Sequence, residues 1–224
     1  RLVQAVLAGI LVPWGVYRLA SRLFPERPRV PVLALAAAAV YSYFALYAAT
    51  LMTESLFIVC LLWSLCAALD VERALVAGEA VPLRLSLSVG LSLGLATLLR
   101  QSILPWAAVL FLWLLWRGRA GGRAHERLDG PQARSWRRVL GPLFTAGVVI
   151  LACILPFTLR NYRVYGRFLL LNSNTGYAMY SAQHPMHGTD FQAYAAAPLP
   201  DDLLHSGLNE AELDSELMRR GIGF

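Results

Sequence analysis

The sequence predicts an all-α protein: a polytopic transmembrane bundle of about six helical spans, followed by the start of an extracytoplasmic segment. Of its 224 residues, 57% are hydrophobic and only 15% are charged, whereas a soluble globular domain carries about 25% charged residues. Several apolar runs approach the ~20 helical residues that cross a bilayer. The twenty basic residues are all arginines, and most of them lie in the links between these runs.

Six apolar runs are long enough, or nearly long enough, to span the hydrocarbon core as helices. The third and fifth are short and need either a tight outer turn or extension into flanking polar residues. The runs are Leu2 to Leu23, Val30 to Ala49, Ser55 to Leu69, Leu83 to Leu99, Ile103 to Trp116, and Val139 to Leu159.

The links between the runs predict the orientation of the bundle. Alternate links share one side of the membrane, and the links after runs one, three and five, counted with the adjoining run ends, hold thirteen arginines. The positive-inside rule makes that side cytoplasmic. The longest of these links, Arg117 to Arg138, contains Gly-Gly and a proline and is predicted to be a flexible loop. Glu54 and Arg100 then lie on the outer face.

The chain is predicted to divide into a transmembrane region, residues 1–160, and an extracytoplasmic region, residues 161–224. In the segment after the sixth run, Asn161, Tyr162 and Tyr165 are predicted to be interfacial anchors, because aromatic and basic residues favour the membrane surface. Further on, Asn209 followed by acidic residues predicts a helix start. We expect the sequence to be a fragment of a longer protein, cut at both ends.

Other functional classes find little support in the composition. The net charge of +6 is explained by membrane topology, so no nucleic-acid partner is predicted. The three cysteines lie inside apolar runs without a C-x-x-C pair, which predicts neither a disulfide nor a metal framework. His184 and His187 have a spacing that suits a metal on a helix, but Pro185 lies between them. We therefore predict no metal and no cofactor, and a divalent ion stays an open alternative.

Three local patterns share the predicted outer side. They are Thr53-Glu54-Ser55-Leu56-Phe57, then Gly94-Leu95-Ala96-Thr97-Leu98-Leu99-Arg100, and finally Arg160 to Phe168 followed by Asn174-Thr175-Gly176-Tyr177. In this order they resemble bacterial GT-C membrane glycosyltransferases of the dolichyl-phosphate-mannose protein mannosyltransferase-like and aminoarabinose transferase-like groups. The resemblance implies a polyprenyl-phosphate sugar donor. It also implies a main catalytic acid in an outer loop upstream of Arg1, so the chain alone is expected to be inactive.

Glu54 is the candidate catalytic residue. A carboxylate between two apolar runs is costly unless it faces water, a partner or a substrate. By resemblance it orients the acceptor or the sugar, or supports the upstream acid. The alternative is a carboxylate that interacts with the dipole of a helix N-terminus, with Thr53 as an ordinary N-cap.

Arg100, Arg160 and Arg163 are the candidates for binding the donor phosphate, because a forked, permanently charged guanidinium suits a phosphate. Arg160 and Arg163 are three residues apart and share one face of a continuing helix. The alternative for Arg100 is a side chain that extends along its own stem to the interface. For the other two it is ordinary binding of anionic lipid heads.

These residues predict an integral membrane glycosyltransferase of the cell membrane. It moves a sugar from a polyprenyl-phosphate donor to a lipid, glycan or protein acceptor on the outer face. The main alternative is a transporter or flippase of a lipid-linked or anionic solute, and a third is a non-catalytic membrane subunit. Transporters place their charges near the bilayer midplane, whereas the candidate charges here lie at the predicted outer turns.

Overall fold

The computed structural model describes residues 2–49, 53–129, 136–172, 174–187 and 197–224. Every regular element in these ranges is helical, which confirms the predicted all-α class. The α-helices are α1 Leu2–Leu23, α2 Arg29–Val40, α3 Ser42–Ala49, α4 Glu54–Val76, α5 Leu83–Leu99, α6 Leu104–Asp129, α7 Trp136–Tyr165, α8 Thr175–Gln183, α9 Asp201–Leu204 and α10 Glu210–Gly223.

Three described helices are long and apolar enough to cross a membrane. They are Leu2–Leu23, Glu54–Val76 and the Arg138–Tyr165 part of α7, while Arg29–Val40 and Leu83–Leu99 are shorter apolar helices. Each of the six predicted runs falls on helix, and the first and fourth have the predicted bounds. An apolar helical bundle of this kind confirms the predicted fold class.

Two predicted elements differ from the structure. The second run is split at Tyr41, whose backbone is extended, so α2 and α3 replace one continuous span. The Arg117–Arg138 link was predicted to be a loop, yet α6 continues through Asp129 and α7 begins at Trp136. Extending an existing helix by one residue costs much less than starting a new one. Arginine and alanine also favour the helical conformation, which explains why α6 continues beyond its apolar residues. Residues 130–135 lie outside the described ranges.

The chain forms two compact units, Arg1–Cys153 and Ile154–Phe224. The predicted division after residue 160 refers to the membrane surface and stays a prediction. In the first unit, α4 packs mainly against α5 and also against α1 and α6. The buried faces of α4 and α5 are rich in small residues, which allow helices to approach closely in an apolar environment.

Close packing between α5 and α7 depends on Gly90 and Gly94. A Cβ atom at Gly90 would lie 2.7 Å from the carbonyl oxygen of Ala146, and one at Gly94 would lie 2.7 Å from Cys153 Sγ. At the other end of α5, the link from α4 begins with Gly78 at φ +71°. The Gly78 N–H donates to Leu75 O and the Glu79 N–H to Ala74 O, which is the Schellman pattern that closes a helix C-terminus.

The second unit has its own core. Tyr180, Ala197, Leu203 and Leu217 are buried together, with Tyr177, Leu199 and Leu213 packed against them. The predicted helix start at Asn209 is confirmed: its side chain accepts from the Glu212 N–H, and Glu212 Oε2 accepts from the Asn209 N–H. This reciprocal capping box satisfies two donors that a helix start otherwise leaves unpaired.

Candidate functional site

Glu54 and Arg100 form an ion pair between two helix ends. Glu54 is the first residue of α4, and Arg100 follows the last residue of α5 with an extended backbone. Arg100 Nη2 donates to Glu54 Oε1. The structure therefore brings two of the predicted site residues together at one end of the bundle. We call this end, defined by Glu54, Ser55 and Arg100, the Glu54 end.

The local backbone explains how these two side chains meet. The Arg100 N–H donates to Ala96 O at 2.8 Å, which ends α5, and a short 3₁₀ turn at Gln101–Ile103 leads into α6. Thr53 lies at the N-cap of α4, but its side chain makes no capping hydrogen bond. Thr53 therefore has the N-cap position that the alternative assigned to it, but its side chain does not cap the helix. Glu54 does lie in the first turn of a helix, where the dipole favours an acid. The helix dipole therefore stabilises the Glu54 carboxylate in addition to the ion pair with Arg100.

Two buried oxygens at this end have no partner within the described part of the chain. They are Glu54 Oε2 and Ser55 Oγ. Ser55 is only 2% exposed. A buried polar atom that lacks a hydrogen bond costs roughly 1–3 kcal/mol, and most such atoms in native proteins are paired. Ser55 was not singled out from the sequence, because a serine at the start of an apolar run carries no signal of its own.

Arg100 retains donors that the ion pair does not use. A guanidinium has five N–H donors, and the described residues engage one side-chain nitrogen, Nη2, through Glu54. The side chain is 44% exposed. Because the fork is rigid and permanently charged, its remaining N–H groups suit a phosphate or another anion. The pair can thus present a carboxylate oxygen and guanidinium donors at the same place.

Arg160 and Arg163 belong to the second compact unit, near the end of α7, and both are exposed. Arg160 Nη1 donates to Asn161 Oδ1 at 3.3 Å. Their role at a donor phosphate stays a prediction. The interfacial prediction for Asn161 is wrong, because this residue is 4% exposed. Its amide Nδ2 donates to Leu171 O at 2.7 Å and so ties the following loop to α7.

Several other charged residues of the second unit form ion pairs with one another. Arg219 and Arg220 both donate to Glu216 and hold the pKa of its carboxyl at about 2. Hydrogen bonding to Arg220 likewise lowers the pKa of Asp202. His184 Nδ1 accepts from the Met186 N–H at 3.2 Å, and its ring contacts those of Tyr180 and Phe224. These contacts describe a packed helical surface rather than a ligand set.

At the opposite end of the first unit, the carboxylates of Asp70 and Glu72 are hydrogen-bonded to arginines. Asp70 accepts from Arg22 through both oxygens, with Nε to Oδ1 at 2.9 Å and Nη2 to Oδ2 at 2.7 Å. Arg117 Nε donates to Glu72 Oε1 at 2.6 Å. We call this the Asp70 end, defined by Arg22, Asp70, Glu72 and Arg117. Glu54 and Asp70 are sixteen positions apart on α4, which corresponds to about 24 Å of helix.

Comparison with known protein families identifies the family of this chain. The family model described as dolichyl-phosphate-mannose-protein mannosyltransferase matches residues 1–128, which is more than half of the chain. The chain belongs to this family. The mannosyltransferase family match includes both Glu54 and Arg100 and ends before Arg160. It makes the chain part of a membrane glycosyltransferase in the broad sense. No curated protein and no solved structure matches the chain.

Proposed function

We propose that this membrane glycosyltransferase transfers a sugar from a polyprenyl-phosphate donor to a hydroxyl of a lipid, glycan or protein acceptor, and that the Glu54 end binds the reacting groups. The observation that carries the proposal is the Glu54–Arg100 pair with its two unpartnered buried oxygens. Family membership supports the reaction class. The proposed location is the cell membrane, crossed several times, with the Glu54 end and residues 161–224 on the outer face.

The proposed reaction assigns one role to each side chain. The acceptor hydroxyl donates its hydrogen to Glu54 Oε2, which orients the hydroxyl oxygen toward the anomeric carbon. As the new carbon–oxygen bond forms, the sugar–phosphate bond breaks and its electron pair leaves with the phosphate. The hydroxyl proton passes to Glu54, which supports the upstream acid that the resemblance implies by relaying the proton to it. The N–H groups of Arg100 then bind the charge that develops on the leaving phosphate.

The pairing of Glu54 with Arg100 suits this sequence of events. While Glu54 carries its charge, it holds Arg100 in place through Oε1. When the carboxylate takes up the proton, its attraction for the guanidinium weakens while negative charge grows on the phosphate. Arg100 therefore gains a second anionic partner at the time it loses the first. For Arg160 and Arg163, which belong to the second unit, binding of a donor phosphate is a separate proposal, supported by the exposure of both side chains.

The transporter alternative has less support. Both candidate charges lie at helix termini, Glu54 at the start of α4 and Arg100 just beyond α5. A transport site is instead expected near the bilayer midplane on interrupted helices. The positions favour chemistry at the membrane boundary, with the substrate entering from one side.

A transfer assay tests the proposal; the protein is reconstituted together with the upstream catalytic loop that the resemblance implies, because the chain alone is expected to be inactive. With a polyprenyl-phosphate-linked sugar donor, Glu54→Gln is expected to lower turnover by about 100-fold, the low end for loss of general acid–base catalysis. Glu79→Gln is the matched control, because Glu79 is exposed in the link between α4 and α5. Vesicle insertion is measured for both variants. Wild-type turnover by a fully inserted Glu54→Gln variant would return Glu54 to a purely structural role.

A further inference from the structure

A cleft opens between α1, α4 and α5 in the half of the bundle away from Glu54. Its volume is about 550 Å³, which falls within the range of small-molecule and lipid-chain pockets. Most of the lining is apolar, and the charged members lie together. The lining residues from α1 are Leu11, Trp14, Gly15, Arg18 and Arg22; those from α4 and α5 are Val59, Leu62, Trp63, Cys66, Ala67, Asp70, Leu85 and Ser88.

The depth of the cleft matches one leaflet of a membrane. Its lining on α4 begins at Val59 and ends at Asp70, eleven positions later, and this separation corresponds to about 17 Å of helix. The hydrocarbon core of a bilayer is about 30 Å thick, so the cleft covers about half of it. The charged groups Arg18, Arg22 and Asp70 all lie at the Asp70 end, where the head groups of that leaflet would be.

One cation in the cleft is left without an anionic partner. Both oxygens of Asp70 are taken up by Arg22. The guanidinium of Arg18 lies over the Trp14 ring, 4.9 Å from its centroid, and no carboxylate of the described residues pairs with it. Deeper in the cleft, the Trp63 indole N–H donates a hydrogen bond to Ser88 Oγ at 2.6 Å, so these two polar groups pair with each other. An apolar groove remains, with one net positive charge at its mouth.

We propose that the cleft binds an anionic phospholipid of the leaflet opposite to Glu54. One acyl chain lies along the apolar lining of α1, α4 and α5, and the phosphate contacts Arg18 beside Trp14. This occupant is the one that matches both the single-leaflet depth and the net charge. The proposal requires only that the bundle be inserted in a membrane, and it does not depend on the transfer reaction at the Glu54 end.

Lipid retention by the purified protein tests the proposal. The protein is taken from nanodiscs with equal amounts of phosphatidylglycerol and phosphatidylcholine, and the lipids that remain bound are counted by native mass spectrometry. The wild type is expected to retain phosphatidylglycerol in preference to phosphatidylcholine. Arg18→Gln is expected to lower that preference about fivefold, as one arginine contributes at an anionic surface. Arg29→Gln is the matched control, because Arg29 is exposed at the start of α2 and outside the cleft.

A second pair of variants tests the apolar groove without changing charge. Leu85 lines the cleft, whereas Leu87 on the same helix is 41% exposed and outside it. Leu85→Trp is expected to reduce retention of the lipid, and Leu87→Trp to leave it unchanged. Three results would overturn the proposal: equal retention of both lipids by the wild type, equal effects of the two tryptophan variants, or displacement of the bound lipid by polyprenyl phosphate at an equal concentration.

Discussion

The two ends of the first unit both contain ion pairs between α-helices, but they differ in what those pairs leave unsatisfied. At the Asp70 end, the Asp70 carboxylate binds Arg22 through both oxygens, and Arg22 also receives the Arg73 guanidinium at its backbone carbonyl. At the Glu54 end, one carboxylate oxygen binds Arg100 while the other is buried and lacks a partner among the described residues. The first arrangement satisfies both carboxylate oxygens, whereas the second leaves one buried oxygen unpaired among the described residues.

This difference is the basis on which we propose a functional role for Glu54 and a structural role for Asp70. Polar groups in an apolar bundle are costly unless their hydrogen bonds are made. The Asp70 end follows this rule, and its pairs hold α1, α4 and α6 together. The Glu54 end departs from it at two neighbouring residues. Proteins accept such a cost where the unsatisfied group has a role in binding or catalysis, which is why we place the site there.

The largest effect on stability is expected from Asp70→Asn. The change leaves Arg22 in a mostly buried position without its charged partner. The expected loss is about 2 kcal/mol, between the values for exposed and fully buried pairs. Thermal unfolding in detergent measures it. The double variant Arg22→Gln with Asp70→Asn should lose less than the sum of the single changes, because no unpaired charge remains. An unchanged midpoint for Asp70→Asn would show that the two ends do not differ in this way.

A smaller effect, on ligand binding, is expected from Arg100→Ala. It removes the N–H groups that we assign to the donor phosphate, so donor affinity should fall at least about tenfold, or about 1.4 kcal/mol. The measurement is equilibrium binding of a polyprenyl-phosphate sugar to the reconstituted protein. Arg84→Ala is the matched control, since Arg84 lies exposed in the first turn of the same helix, at its opposite end. Equal affinities for the two variants would count against the phosphate role.

The smallest effect is the change in stability caused by Glu54→Gln. The variant loses a partly exposed ion pair and a helix-dipole contribution of about 0.3–1 kcal/mol, but it also removes a buried charge with one unpartnered oxygen. These contributions oppose each other, so the unfolding midpoint should correspond to less than about 1 kcal/mol of change. A loss as large as that of Asp70→Asn would make Glu54 a structural residue like those at the Asp70 end.

Much of the architecture and part of the site were predictable from local sequence. The six apolar runs fall on helices because hydrophobic length and helix periodicity act over neighbouring residues. Glu54 and Arg100 were predicted to lie on the same side of the membrane because alternate helix ends share a side of a bundle. The continuation of α6 past Arg117 and the break at Tyr41 were not predicted, since each depends on a small balance between helix extension and local backbone preference.

The sequence by itself determined the helical class, the apolar runs and the position of charged residues at helix ends, because these properties depend on residue type and spacing along the chain. Only the tertiary structure decided which charges meet and which atoms remain unpaired. Three features depend on how the helices are rotated and shifted along their axes. They are the pairing of Arg22 with Asp70, the unpartnered oxygen of Glu54 and the cleft beside Arg18. A rotation of α4 by one residue position, about 100° at 3.6 residues per turn, would change all three.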